Sequence, residues 1–380
     1  MEGRNKKMEL LGNAPIPKAL LAMGLPTMIG MMINALYNLV DAYFVGGLGT
    51  SQMGAISVAF PLGQVVVGLG LLFGNGGASY ISRLLGRGDR ETADRAASTA
   101  LYSSIFVGAA VILCAVIFLK PLLKCLGATD SILPYAVTYA GIYVVSSIFN
   151  VFNVTMNNIV TSEGAARTTM CVLLTGAALN MVLDPVFIYV LKLGVAGAAI
   201  ATAISQAVST LVYLYYVISG RSMFCFRFSN CCFSNEIMSE ILKIGIPTLA
   251  FQLLTSLSIT MINMQAKPYG DSVIAGMGAV TRMISLGSLM VFGFIKGFQP
   301  IAGYNYGAGN YERLHEAIRI SVVWSTLFCA VFGLTMAVFS GPVISRFTKD
   351  DMEMIRIGQK ALKANGLSFL LFGFYTVYSS

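Results

Sequence analysis

Two of the chain's 17 carboxylates stand where a carboxylate is costly. Asp41 and Asp184 lie inside continuous apolar stretches, whereas the others fall in loops, tails or stretch ends. An Asp at the centre of a membrane helix costs about 2.5–3.5 kcal/mol, so it usually has a function. Asn34, Tyr37 and Asn38 precede Asp41 by seven, four and three residues, on one helix face. Asn180 precedes Asp184 by four, also on its face. Burial disfavours an ionised carboxylate, and hydrogen-bond donors favour it. Two acids set between these influences can take up a proton on one side and release it on the other. The plainer readings are a helix-end Asp41 reaching for headgroup water, five residues before Gly46-Gly47, and an Asp184 that only marks a kink at Pro185.

Other polar residues fall at helical spacing. Asn150, Asn153 and Asn157 form one stripe, which either lines a cavity or ties neighbouring helices together. Arg282 and Lys296 are fourteen apart, about 40° around a helix, so both can face a central cavity. Lys296 lies near a helix end and can instead snorkel. Arg282 reads equally as a structural pair or as a substrate or gating residue. The chain has 20 methionines, and Met31 and Met261 stand on paired helices where a polarizable side chain suits promiscuous apolar ligands. Lipid-facing filler is the alternative. Cys225, Cys231 and Cys232 cluster in a polar loop without paired metal-ligand spacing, so no metal site is expected. With one histidine, His315, and no Ser–His pair, no enzyme activity or cofactor is expected.

The elements that hold these residues are membrane helices. Of 380 residues 56% are hydrophobic and 11% charged, against about 25% charged in soluble domains. Ten spans are predicted, at about 19–45, 52–81, 97–119, 133–160, 169–190, 195–218, 244–266, 273–301, 317–340 and 355–379. The net charge of +8 does not imply nucleic acid, because the basic residues sit in turns between spans. With a cytoplasmic N-terminus, 14 basic residues fall inside, and six fall outside: Lys120, Lys124, Lys192, Lys267, Arg346 and Lys349. Residues 1–18 show no removable signal peptide.

The chain also contains itself twice. Residues 24–96 align without a gap to 245–317 at a constant offset of 221, with 12 of 73 pairs identical. Gly24-Leu25-Pro26-Thr27 matches Gly245-Ile246-Pro247-Thr248, and Gly49, Phe73, Gly76, Gly86, Gly88 and Glu91 match Gly270, Phe294, Gly297, Gly307, Gly309 and Glu312. The expected organisation is a six-helix lobe over 1–225, a linker over 226–243 and a four-helix lobe over 244–380. Two six-span halves would make twelve spans, so the chain is expected to be a C-terminally shortened piece of a protein of about 445 residues.

The local motifs resemble those of the multidrug and toxic compound extrusion (MATE) family. They are Asn38-Leu39-Val40-Asp41-Ala42-Tyr43-Phe44-Val45-Gly46, Leu179-Asn180-Met181-Val182-Leu183-Asp184-Pro185, Gly194-Val195-Ala196-Gly197 and Gln299-Pro300-Ile301-Ala302-Gly303-Tyr304-Asn305-Tyr306-Gly307. The resemblance implies an all-α, two-lobe transporter with 10 of 12 helices present. It implies coupling of proton entry, or in some members sodium entry, to drug release at first-lobe acids, with Tyr139 and Thr202 nearby. The seventh span, Gly245–Ala266, lacks the carboxylate that sodium-coupled members often carry there, which favours first-lobe coupling. The expected protein is a monomeric exporter of amphipathic cations in the plasma membrane. A flippase of lipid-linked precursors is the alternative, although such proteins usually have a strongly cationic cavity.

Overall fold

The computed structural model describes residues 2–48, 50–130, 132–231, 234–266, 271–345 and 352–379. Gly49, Cys232, Lys267, Gly270, Arg346 and Lys349 lie outside the described residues. All regular structure among the described residues is helical. In chain order the α-helices are α1 (Glu2–Gly12), α2 (Ile16–Gly46), α3 (Thr50–Arg87), α4 (Arg90–Ile117), α5 (Leu119–Cys125), α6 (Leu133–Ser162), α7 (Ala166–Pro185) and α8 (Gly194–Ile218). The second half supplies α9 (Asn235–Ala266), α10 (Asp271–Gly307), α11 (Tyr311–Val338), α12 (Ser340–Ile344), α13 (Met352–Ser368) and α14 (Phe372–Tyr378).

Nine of the described helices are long and apolar enough to cross a membrane. In lipid a helix satisfies its own backbone polar groups, so these apolar sequences have no cheaper conformation. The segment expected as a tenth span, 355–379, is divided among α13, a 3₁₀ turn at Phe369–Leu371 and α14. Helix α9 starts at Asn235, inside the stretch expected as linker, because Ser234 Oγ accepts from Ile237 N at 3.2 Å and opens the helix early.

The duplicated sequence folds into duplicated structure. Asp89 Oδ1 caps α4 by accepting from Thr92 N at 3.0 Å, and Asn310, its equivalent at offset 221, caps α11 by accepting from Arg313 N at 3.2 Å. The Thr92 side chain and backbone hold the Asp89 carboxyl below its ordinary proton affinity. Gly88 and Gly309, also equivalent, take φ of +80° and +70°, the left-handed geometry that glycine adopts without strain.

The two copies meet through their shared glycines. Helix α3 packs on α9, and α10 packs on α2. A Cβ on Gly76 would lie 2.1 Å from the Ile241 carbonyl oxygen, and one on Gly297 would lie 2.5 Å from Gly24 Cα. Further along, a Cβ on Gly86 would lie 1.9 Å from Tyr304 O, and one on Gly307 would lie 2.0 Å from Arg83 O. Tyr304 is the offset partner of Arg83, so the contacts exchange under the repeat. Ser82 faces Gly303, its own equivalent: a Cβ on Gly303 would lie 2.8 Å from Ser82 Cβ. A residue that meets its own counterpart lies on a two-fold axis. The lobes are therefore related by a pseudo-two-fold, and the conserved pattern of glycines within the repeat is the pattern of backbone contact between lobes.

Candidate functional site

The acid residues come together in the first lobe. Asp41 sits near the C-terminal end of α2, and Asp184 is the penultimate residue of α7. Pro185 has no N–H to donate to the carbonyl four residues back. Helix α7 ends there in a π turn over Val186–Val190, a widened geometry that recurs at functional sites. The turn is pinned to α2, since Tyr189 Oη donates to the Phe44 carbonyl at 2.6 Å. Gly197 lets the start of α8 approach the turn, as its Cβ would lie 2.7 Å from Phe187 O.

The carboxyls of Asp41 and Asp184 lie close enough to each other to interact directly. Two carboxylates only accept and repel each other, so acids brought this close favour the uptake of a proton or a cation between them. Asp184 is fully buried. The Asn180 amide orientation that satisfies both its ends has Nδ2 donating to Asp184 Oδ2 at 2.9 Å and Oδ1 accepting from the Thr202 N–H at 3.3 Å. The Tyr37 side chain lies beside that of Thr202. Tyr139 stacks on Tyr143 with centroids 5.7 Å apart, close enough to the acids to feel their charge. Asp41 Oδ1 is shielded from solvent and has no hydrogen-bond partner among the described residues.

Not every sequence candidate joins this group. Asn34 is exposed and pairs within its own helix, accepting from Asn38 Nδ2 at 2.8 Å. Asn153 is inter-helix glue, with Nδ2 donating to Gln206 Oε1 at 2.8 Å and Oδ1 accepting from Thr210 at 3.0 Å. That removes it from any cavity lining. Asn157 donates to Tyr213 Oη at 3.1 Å and accepts from Lys296 of the opposite lobe. Lys296 thus points across the lobe interface and does not snorkel. Asn150 Oδ1 is buried without a partner among the described residues. Arg282 and Met261 are exposed, and Met31 is half-buried.

The MatE family model matches residues 26–186 and 247–380, two segments whose starts are 221 apart, as in the internal repeat. The chain belongs to the MatE family. This MATE chain is 30% identical over 382 residues to the multidrug export protein MepA of Staphylococcus aureus (strain NCTC 8325 / PS 47), covering 97% of this chain and 83% of that protein. It is 28% identical over 377 residues to MepA of Staphylococcus haemolyticus (strain JCSC1435), with the same coverage. Among solved structures, it aligns to a MATE transporter in the straight conformation with a TM-score of 0.92 and 29% identity, covering 98% of this chain and 83% of that one. The match to a MATE transporter in the bent conformation has a TM-score of 0.88 and 28% identity, covering 98% and 84%. The protein is a multi-pass multidrug efflux transporter of the MATE type and not an enzyme.

One buried acid of this MATE chain escaped the sequence reading, which left it among the loop carboxylates. Glu163, just past α6, is fully buried and pairs with Lys7 of α1 at 3.0 Å. It also accepts from Tyr216 Oη, from Ser222 Oγ at 3.1 Å and from Met223 N at 2.6 Å. Helix α1 then runs on to the second lobe, where Asn305 Nδ2 donates to Leu11 O at 3.1 Å and Arg313 donates to Ala14 O. Removing one partner of a buried pair costs about 3–5 kcal/mol. Glu163→Ala is therefore expected to lower the thermal unfolding temperature markedly, and Glu163→Gln less so. Unfolding of the Ala variant at the wild-type temperature would contradict the structural weight given to this cluster.

Proposed function

We propose that this MATE transporter exports amphipathic, mostly cationic compounds by antiport, with protons entering through the Asp41–Asp184 pair. The observation that carries the reading is the convergence of two carboxyls inside membrane-spanning helices, with Asn180 Nδ2 donating to Asp184 Oδ2 and Asp41 Oδ1 buried without a hydrogen-bond partner among the described residues, so that a proton or a cation can be received there. Sodium is the second coupling ion considered. Asn180 holds Asp184 and is itself held by the Thr202 backbone, with Tyr37 and Tyr139 beside the pair. That the relatives in Staphylococcus are multidrug export proteins supports the substrate class.

The lobes touch at the end that carries the basic turn of Arg83, Arg87, Arg90 and Arg95. Positive residues favour the cytoplasmic side, so we assign that closed end and the N-terminus to the cytoplasm of the plasma membrane. The cleft then opens outward, and a relative titled as outward-facing aligns with a TM-score of 0.92. A monomer meets the needs of this arrangement, since both walls come from one chain. The flippase reading is less favoured, because acids rather than clustered cations occupy the first-lobe site.

The test is ethidium efflux from vesicles containing the protein, with the proton and sodium gradients collapsed separately. Loss of efflux on collapse of the proton gradient alone is the expected result. Efflux that ignores the proton gradient and follows sodium would replace the proton with sodium, and efflux that follows neither would end the antiport reading.

A further inference from the structure

Asp41 and Asp184 stand on different helices, so whatever joins those helices sets the distance between the acids. One such link lies a turn beyond Asp41. Phe44 O is among the last four carbonyls of α2, for which the helix itself has no donor. Leu48 N, four residues on, turns instead to Val45 O at 3.0 Å. Tyr189 Oη takes the free carbonyl, donating to it at 2.6 Å. The rings of Phe44 and Tyr189 meet edge to face with centroids 6.3 Å apart, and Val45 and Ile188 beside them are buried in one core cluster.

The π turn is what aims Tyr189. Five residues of α-helix turn through about 500°, which would leave Tyr189 about 140° round from Asp184. In a π turn the bonds run between residues five apart, as from Leu191 N to Val186 O at 2.9 Å, and residues five apart fall more nearly in line. Asp184 and Tyr189 therefore both address α2. The turn is braced from behind by the start of α8, which Gly197 lets close on Phe187 O. Elsewhere the outer part of α2 is loosely held, with Leu36, Leu39 and Tyr43 exposed. A tyrosine that merely marks the membrane interface keeps its hydroxyl at headgroup level, whereas this one is spent on a neighbouring helix. The titratable groups around the acids are Tyr37 of α2 and Tyr139 and Tyr143 of α6, while α7 presents Asn180 and α8 presents Thr202.

We propose that Tyr189 is a positioning residue of the coupling site: its hydroxyl holds the outer turns of α2 on the π turn and so fixes how closely Asp41 approaches Asp184. This rests on the acid-pair reading of coupling. Two carboxylates brought close favour a proton between them, so letting α2 drift from α7 weakens proton uptake. Gly47 guards the same contact, because a Cβ there would overlap Tyr189 Oη, while the φ of −68° at Gly47 suits any residue.

The experiment measures ethidium efflux from vesicles while the proton concentration on the side that the cleft faces is varied. Tyr189→Phe removes one hydroxyl and keeps the ring. It is expected to need about tenfold more protons for half-maximal efflux, the scale of one hydrogen bond, so the midpoint moves about one unit to lower pH. The plateau rate, and ethidium affinity read by fluorescence anisotropy, are expected to stay at wild-type values. Gly47→Ala is expected to give the same shift, and the double variant no more than either alone, because the added methyl then has no hydroxyl to displace. Tyr43→Phe, at the exposed tyrosine next to Phe44, is expected to leave the midpoint in place. An unchanged midpoint in Tyr189→Phe, a lower plateau at an unchanged midpoint, or additive shifts in the double variant overturns the proposal, and loss of efflux in Asp184→Asn then leaves the acid-pair reading standing. A wild-type proton response in Asp184→Asn overturns both. Should efflux follow sodium, the same shifts are read against sodium concentration.

Discussion

Asp184→Asn and Asp41→Asn are each expected to bring gradient-driven dye efflux down to the level of empty vesicles, with insertion and thermal stability close to wild type. The two halves of that expectation have separate causes. An amide has nearly the shape of a carboxyl group and can still donate or accept, so the contacts to Asn180 and to the partner acid survive. What is lost is the ability to gain and release a proton. Coupling is a difference in ion affinity between two conformations, and a group that does not titrate contributes no difference. Dye binding without transport is the signature to look for. If either variant exports ethidium at the wild-type rate under an imposed pH gradient, the pair is not the coupling site.

That acid pair was legible in the sequence because membrane burial makes an isolated carboxylate conspicuous. Asp41 and Asp184 needed no alignment to be noticed, and the i−4 partner of Asp184 followed from helical spacing. The repeat was legible for a related reason. Half of its identities are Gly or Pro, which geometry holds in place, and the structure shows Gly24, Gly76, Gly86, Gly297 and Gly307 spent on close backbone contact. Other features depend on partners far along the chain. Lys7 meets Glu163 across 156 positions and Lys296 meets Asn157 across 139, and no local pattern announces either. Helical spacing also fails to say which way a polar stripe is used. Asn153 and Asn157 share a face, yet one is consumed by α8 while the other also serves the opposite lobe. The early start of α9 was hidden because its first turns are polar.

Gly86→Ala is expected to abolish efflux, while Gly88→Ala two residues away leaves it nearly intact. The same methyl group meets opposite situations. At Gly86 the new Cβ would sit 1.9 Å from the Tyr304 carbonyl oxygen, in the last turn of α10, and 2.8 Å from the backbone N of Ala308 just beyond it, atoms that cannot swing aside as a side chain can. The closed arrangement of this end must open or lose its register, at a cost of about 1–3 kcal/mol or more for overpacking. At Gly88 the methyl meets nothing within 4 Å, so the penalty is only that of a non-glycine residue at φ +80°, about 1–2 kcal/mol, and it falls on a turn. The pseudo-two-fold makes a second pair of forecasts: Gly307→Ala should behave as Gly86→Ala does, and Gly309→Ala as Gly88→Ala does. Spin labels at position 90 and its equivalent 311, on the two turns beside the contact, report the separation directly. The distance is expected to lengthen in the Gly86 and Gly307 variants and to stay at its wild-type value in the other two. An unchanged distance with full efflux in Gly86→Ala would mean that these glycines are not what lets the lobes close, and that the transport cycle does not pass through the contact seen here.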